Sequence, residues 1–349
     1  MFNQTTINKR RFLKYCLGVY AILMQKQMFA AEQSNQPFKI FAIVYRGRTE
    51  VEKGFKSFFK DKGISIDFWE NNIEQNVELI PALLKEAINW NADLIYTWGT
   101  PTTLKVCGRA VDNKRLPIPV IFVMVSAPIE SGLVSSLSNF NRNLTGVVHI
   151  VPIAQQLEAI RAYRPFKRLA VLYNSDEPNS LINVKLLRQA STAFQNNISY
   201  DRSFTLIDKP IQKVNGKPSP DKIPKDLAEI AKQDPDFLYI GPDSFLAANR
   251  DLLTQVCLEL KIPTFSATES ILRKSKALFG LISRYDSVGR LAAIKSKQIL
   301  TEDIEAKNIP IETLSRFSYV INIEVAKQIN LYPPLKILNY AEIIGKNKI

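Results

Sequence analysis

The stretch Asp93-Leu94-Ile95-Tyr96-Thr97-Trp98-Gly99-Thr100-Pro101-Thr102-Thr103 decides the fold. Leu94, Ile95 and Tyr96 form a short apolar run suited to a buried strand, the small residues after them break it, and Leu104 to Ala110 reads helical. Thr100 suits the N-cap and Pro101 the first helical position, so the free N–H groups of that first turn would point out of the strand's carboxyl end. Such a turn favours an anion or carboxylate, and open parallel sheets bind ligands at this place. The plain alternative is an ordinary capped strand-to-helix junction.

The same alternation runs outward in both directions. Lys39 to Tyr45 and Ile64 to Trp69 are expected strands, separated by Val51, Phe55, Phe58 and Phe59 at helical spacing; Val77, Ile80, Leu83, Leu84 and Ile88 mark a second helix, and Pro119 to Met124 a further strand. After Leu144 to Val148 comes a helix with Leu157 and Ile160, and Arg168 to Tyr173 opens a second series. Its first helix carries Leu181, Val184, Leu187 and Phe194; Phe237 to Ile240, Pro263 to Ala267 and Leu278 to Ser283 are strands, with one helix from Leu246 to Leu260. The pattern predicts an α/β chain of two doubly wound parallel-sheet lobes. Lys209 to Lys225, rich in proline and lysine, reads as a solvated loop away from any cleft, and the tail from Ser315 to Leu338 is apolar enough to dock on a lobe.

A chain of 349 residues with 46% hydrophobic content fits two domains. Of the formal +13, five cations (Lys9, Arg10, Arg11, Lys14 and Lys26) precede Ala30, and removing them leaves +8. No basic block with stacking aromatics is present, so no nucleic-acid partner is expected. The first 31 residues read as an export signal: a basic n-region from Lys9 to Lys14, a short apolar run from Tyr15 to Met24 and small residues at Ala30-Ala31. The segment is similar to a twin-arginine signal, and its apolar run is too short to span a bilayer. Cys16 lacks the small residues before it that a lipoprotein signal needs, and Cys107 and Cys257 suit small buried hydrophobes, so no disulfide framework is implied.

Catalytic and metal constellations are hard to assemble. His149 is the only histidine, there is no glycine-rich phosphate or dinucleotide loop, and nothing pairs carboxylates such as Glu130, Glu177 and Asp243. No catalytic residue, metal or cofactor is assigned.

Several segments together resemble the ABC-importer substrate-binding proteins that include tryptophan- and tyrosine-type binders, with the type I periplasmic binding fold. They are Gly99-Thr100-Pro101, Ile118 to Phe122, Ser131 to Val134, Asn143 to Val147, Val171 to Asn174 with Glu177 to Ser180, Ile262-Pro263-Thr264, Tyr285 to Arg290 and Val320-Ile321-Asn322. The order of the pieces along the chain is the specific part. The resemblance implies two lobes joined by a hinge, with crossovers near Val148, Ser283 and Pro310: residues 37–148 with 284–310 in one lobe, and 149–283 with 311–349 in the other. It implies ligand contacts from Tyr45, Trp98, Thr100, Thr102 and Ser126 on the first lobe. Asn174, Glu177, Asn179, Ser180, Asp243 and Ser244 would contribute from the second, and Tyr285 and Asp286 from near a crossover. For each polar residue a cap or turn role is the alternative, and for Trp98 and Tyr285 core packing is. Members often carry Asp-Pro where this chain has Ala127-Pro128, and an acid where it has His149. Losing two carboxylates removes partners for a cationic group and argues against an ordinary α-amino ligand; His149 could tolerate an anion, the alternative being a buried histidine with one satisfied ring nitrogen.

The expected function is that of an exported, periplasmic, monomeric binding protein that captures a small organic solute, an amino acid or aromatic compound, for an ABC permease. A sensory protein of the same fold that reports to a membrane partner is the first alternative, and a doubly wound enzyme the second.

Overall fold

The computed structural model describes residues 36–112, 114–138, 140–196 and 203–345; the expected export signal lies outside the described residues. The first series runs β1 (Phe38–Val44), α1 (Glu50–Asp61), β2 (Ile66–Asn72), α2 (Ile80–Asn89), β3 (Leu94–Trp98), α3 (Thr100–Cys107), β4 (Val120–Val125) and β5 (Leu144–Val148). Its strands pair in parallel in the order β5-β4-β3-β1-β2. Helices cover both faces, which is why β1 is apolar without alternation: Ile40, Ala42 and Val44 pack with α1, while Phe41 and Ile43 pack with α2 and α3. Thr49 and Glu52 form a capping box that starts α1. Glu52 is buried there and accepts the Tyr96 hydroxyl at 2.5 Å, tying α1 to β3.

The second series repeats the plan with α4 (Ile153–Tyr163), β6 (Arg168–Tyr173), α5 (Pro178–Asn196), β7 (Thr205–Pro210), a hairpin of β8 (Lys213–Val214) and β9 (Lys217–Pro218), α6 (Ile223–Ala231), β10 (Phe237–Ile240), α7 (Ser244–Ala248), α8 (Arg250–Glu259), β11 (Thr264–Ser266), α9 (Glu269–Lys274) and β12 (Phe279–Ile282). Its parallel order is β12-β11-β10-β6-β7. The chain then returns to the first lobe through α10 (Tyr285–Glu302), and β13 (Glu312–Thr313) adds to the first sheet beside β5. β14 (Ser318–Asn322), α11 (Ile323–Gln328), α12 (Leu335–Leu338) and β15 (Glu342–Ile344) finish on the second sheet. β14 runs antiparallel to β12, the one departure from parallel pairing in the two large sheets as described.

Three crossings therefore join the lobes, after Val148, Ile282 and Thr313. The third lies in the region after Pro310, where Glu312 and Thr313 still pair with Val147 and Val148. The ammonium of Lys295, itself buried, reaches the Pro310 carbonyl and Glu312, and the Thr145 hydroxyl donates to the Ile309 carbonyl at 2.8 Å. Helices α1 and α10 touch backbone to backbone: a Cβ on Gly54 would lie 2.1 Å from the Asp286 carbonyl oxygen, and one on Gly289 1.9 Å from that of Val51.

Three local expectations change. The helix expected from Leu246 to Leu260 breaks at Asn249, whose side chain turns back to donate to the Phe245 carbonyl. The loop expected from Lys209 to Lys225 contains a hairpin, turned by Asn215 and Gly216 at positive φ, and the start of α6. In the central turn, Gly99 at φ +89° occupies the N-cap, so α3 starts one residue earlier than expected and ends at Cys107 before Gly108. Cys107 and Cys257 are free and buried.

Candidate functional site

In each sheet the strand order reverses beside the first strand of its series, and a crevice opens there outside the carboxyl ends of the strands. In the first lobe the crevice lies between the loop after β1, bearing Tyr45 and Arg46, and the turn after β3, bearing Gly99 and Thr100. In the second it lies between the loop after β6 with Glu177 and the first turn of α5 with Asn179, and the loop after β10 with Pro242 and Asp243 and the start of α7 at Ser244. All of these residues line one cleft between the lobes, whose free volume is only about 30 Å³, room for one or two water molecules.

Of the expected contacts, Tyr45, Trp98, Thr100, Ser126, Glu177, Asn179, Asp243, Ser244 and Tyr285 line this cleft. Four do not. Thr102 is fully buried in α3 behind the turn. Asn174 accepts the Asp176 N–H at 2.9 Å in a local turn and donates its own N–H to Asp243 at 2.7 Å. The Ser180 hydroxyl donates to Asp243 at 2.7 Å. Asp286 sits on the half-exposed side of α10 and pairs with Arg290, while its backbone packs on Gly54.

Sequence reasoning missed Arg46, Met124 and Thr268, and gave His149 no contact. Arg46 follows β1; its guanidinium lies 5.1 Å from the centre of the Trp98 ring and spans the cleft to the Ser244 carbonyl at 3.4 Å. Met124 is at φ +58°, an uncommon conformation for a non-glycine residue, inside a register shift between β4 and β5 that brings it to the cleft wall. A bulge of this kind has no composition signal. Thr268 follows β11 and stands at the N-cap position of α9, where its hydroxyl makes no capping bond.

The two second-lobe carboxylates differ in their commitments. Asp243 is consumed internally: it caps α7 by accepting the Leu246 N–H at 2.9 Å and also takes the Asn174 N–H and Ser180 hydroxyl. Glu177 accepts the Ser244 N–H at 2.7 Å and the Asn179 amide at 3.1 Å and is also bonded by the Ser244 hydroxyl, and it lines the cleft. Burial, followed by the charge of Asp243, holds the Glu177 carboxyl above its ordinary range, and burial raises Asp243 as well. Burial and Glu177 push the Tyr45 phenol up to about 12.

His149 is buried, and that burial pushes its imidazole down to about 3, with the charge of Arg46 acting in the same direction. At neutral pH the ring is uncharged, which agrees with the buried histidine with one satisfied ring nitrogen and not with a charged partner for an anion. The ring hydrogen-bonds the Val125 backbone, and Nδ1 has no partner in the protein, which leaves a lone pair free.

Nδ1 is not alone. Six buried side-chain atoms on this cleft lack a hydrogen-bond partner: Trp98 Nε1, Thr100 Oγ1, Ser126 Oγ, His149 Nδ1, Asn179 Oδ1 and Thr268 Oγ1. Each unpaired buried group costs roughly 1–3 kcal/mol. A cluster drawn from both lobes onto one space is what a polar solute would satisfy, with donors at Trp98 and Arg46 and acceptors at Glu177, Asn179 and His149.

Two α/β lobes, three crossings and a polar cleft at paired switch points define the type I periplasmic binding fold. Residues 40–344 match the model of the ABC transporter substrate-binding protein family, and the chain belongs to that family. It is 26% identical over 293 residues to a tyrosine-binding protein of Clostridioides difficile (strain R20291), covering 81% of this chain and 77% of that one. Among solved structures it resembles a conserved domain protein of Vibrio cholerae (TM-score 0.74, 21% identity, 88% of this chain and 99% of the other). It also resembles an ABC domain from Streptococcus pneumonia in complex with L-Trp (TM-score 0.72, 20% identity, 87% and 100%).

Proposed function

We propose that this protein is exported to the periplasm and captures a small organic solute bearing a carboxylate, an amino acid or aromatic acid, for delivery to an ABC permease. The observation that carries the reading is the convergence of unpaired buried polar atoms from both lobes with an arginine that has no carboxylate partner among the described residues. Arg46 would take the carboxylate, and Glu177 with Asn179 would take an amino group, so each lobe holds one end of the solute. The amino-acid names carried by two relatives point the same way. Because the cleft as described holds no more than a water or two, entry requires the lobes to part about the three crossings, and reclosure offsets the solute's desolvation. Nothing in this reading asks the protein to act as an enzyme or to bind a metal, a cofactor or nucleic acid, and a monomer suffices.

A thermal-shift screen of amino acids, aromatic acids, purines and small peptides tests it. A bound solute at 100 times its dissociation constant adds about 2.7 kcal/mol of stability. A solute that is consumed during incubation would replace binding with catalysis, and a carboxylate ligand whose affinity ignores Arg46→Gln would remove the assignment of the two ends.

A further inference from the structure

Directly beside the polar cleft lies a second chamber with about 270 Å³ of free volume, against about 30 Å³ in the first. The two share Ser126 and Asn179 as a common wall, and both of those side chains have an unpaired atom. The second chamber also spans the lobes at the hinge. Ala127, Ile129 and Leu137 come from the first lobe, Ile150 follows the first crossing, and Ile182 and Leu186 come from the face of α5. No aromatic ring lines it, and its one charged residue, Glu130, is exposed.

We infer that the chamber receives the apolar body of the captured solute, which makes the preferred ligand an amphipathic amino or carboxylic acid with an extended aliphatic chain. The inference rests on the polar cleft being the head-group site, as proposed above. With the lobes placed as described, a head group the size of one or two waters fits between Arg46 and Glu177, and the adjoining space with room for a larger body lies just past Ser126 and Asn179. An aliphatic wall without rings gains by burying methylene groups and offers no face for stacking. The chamber therefore sets chain length, while the polar cleft sets the head group.

Titration calorimetry with two homologous series decides it: α-amino acids from alanine through norvaline and norleucine to 2-aminooctanoate, and unsubstituted acids from butyrate to octanoate. In the wild-type protein, affinity should rise about three- to fourfold per added methylene until the chamber is full. In Ile182→Trp, which fills the chamber from a half-buried helix position, the gain should stop at short chains while the shortest binding member keeps its affinity. A series that binds with no dependence on chain length overturns the inference and leaves the head-group reading standing. Tryptophan or tyrosine binding more tightly than every aliphatic member, with no loss in Ile182→Trp, overturns it as well. If neither series binds, nor tryptophan and tyrosine, the head-group reading falls and the inference falls with it. Should Ile182→Trp fail to fold, the slope of the wild-type series alone decides.

Discussion

The Arg46 guanidinium lies over the Trp98 ring at 5.1 Å, so one face of the tryptophan is covered by protein. Trp98 is 3% exposed and packs with Tyr96 and Met124 on the α1 and α10 side of the sheet, while its Nε1 remains unpaired. It is thus core and cleft wall together. Trp98→Ala should cost roughly 3–5 kcal/mol in urea unfolding. Trp98→Phe should keep most of that stability yet weaken ligand binding through the lost Nε1 donor. Equal affinity in Trp98→Phe would assign the residue to the core alone.

Arg46 makes one long hydrogen bond to the protein, at 3.4 Å, and one cation–π contact with Trp98, worth roughly 0.5–2 kcal/mol, so only a modest share of stability depends on it. Arg46→Gln should lower the melting temperature of the ligand-free protein only slightly, through the lost contact with the Trp98 ring. Because hydrogen bonds to charged groups are worth roughly 1.5–3 kcal/mol, affinity for a carboxylate ligand should drop by about one to two orders of magnitude. Calorimetry on the variant reads both the loss and its dependence on the carboxylate.

His149 predicts an acid-side slope in stability. Its folded value is depressed to about 3 from an ordinary 6.5, so the unfolded chain takes up a proton first as the pH falls. Stability is full above pH 6.5 and is lost toward pH 3, at roughly 1.4 kcal/mol per pH unit from this group. His149→Gln keeps a side-chain donor for the Val125 backbone but cannot titrate. Unfolding curves at several pH values should show a shallower acid slope in the variant, and parallel curves would contradict the assignment.

Glu177 has the opposite sign. Its folded carboxyl is raised, so its contribution is full below the ordinary carboxylate range and is lost as pH rises through the folded value. Glu177→Gln should therefore raise stability more at pH 8 than at pH 4, while weakening any ligand that carries an amino group. A stabilised protein with lower affinity is the expected trade.

The glycine contact between α1 and α10 predicts a purely structural effect. Gly289→Ala places a methyl against the Val51 carbonyl, and overpacking of this kind costs roughly 1–3 kcal/mol or more. Thermal melts should show the loss, and ligand affinity measured on the folded fraction should be unchanged.

The strand-helix periodicity made the central strands of both sheets legible in the sequence, because β1, β3, β4 and β6 are buried on two faces and read as short apolar runs, while the edge strands β7, β13 and β15, which are partly exposed, were not. The central turn was legible for the same reason, apart from Gly99 taking the cap. Long-range ties were not. Asp243 reads as a ligand contact in sequence but spends its oxygens on Asn174, Ser180 and Leu246, partners up to 69 positions away. Asp286 likewise follows a recognisable motif, yet that motif serves the packing of α10 on α1. Arg46 went unnoticed because a single arginine after a strand resembles any solvated loop cation. Only the placement of Trp98 and Ser244 around it gives it a role.

The pairing of Glu312 and Thr313 with β5 bears on how the chain is made. Strands β6 to β12 of the second lobe are threaded between β5 and β13 of the first, so when synthesis has delivered β1 through β5 the sheet still lacks its last strand, and Phe55 and Phe59 still lack the cover of α10. The first half must wait, with apolar surface exposed, until the ribosome has passed Thr313. Contacts this distant in sequence slow folding and favour aggregation of the waiting half.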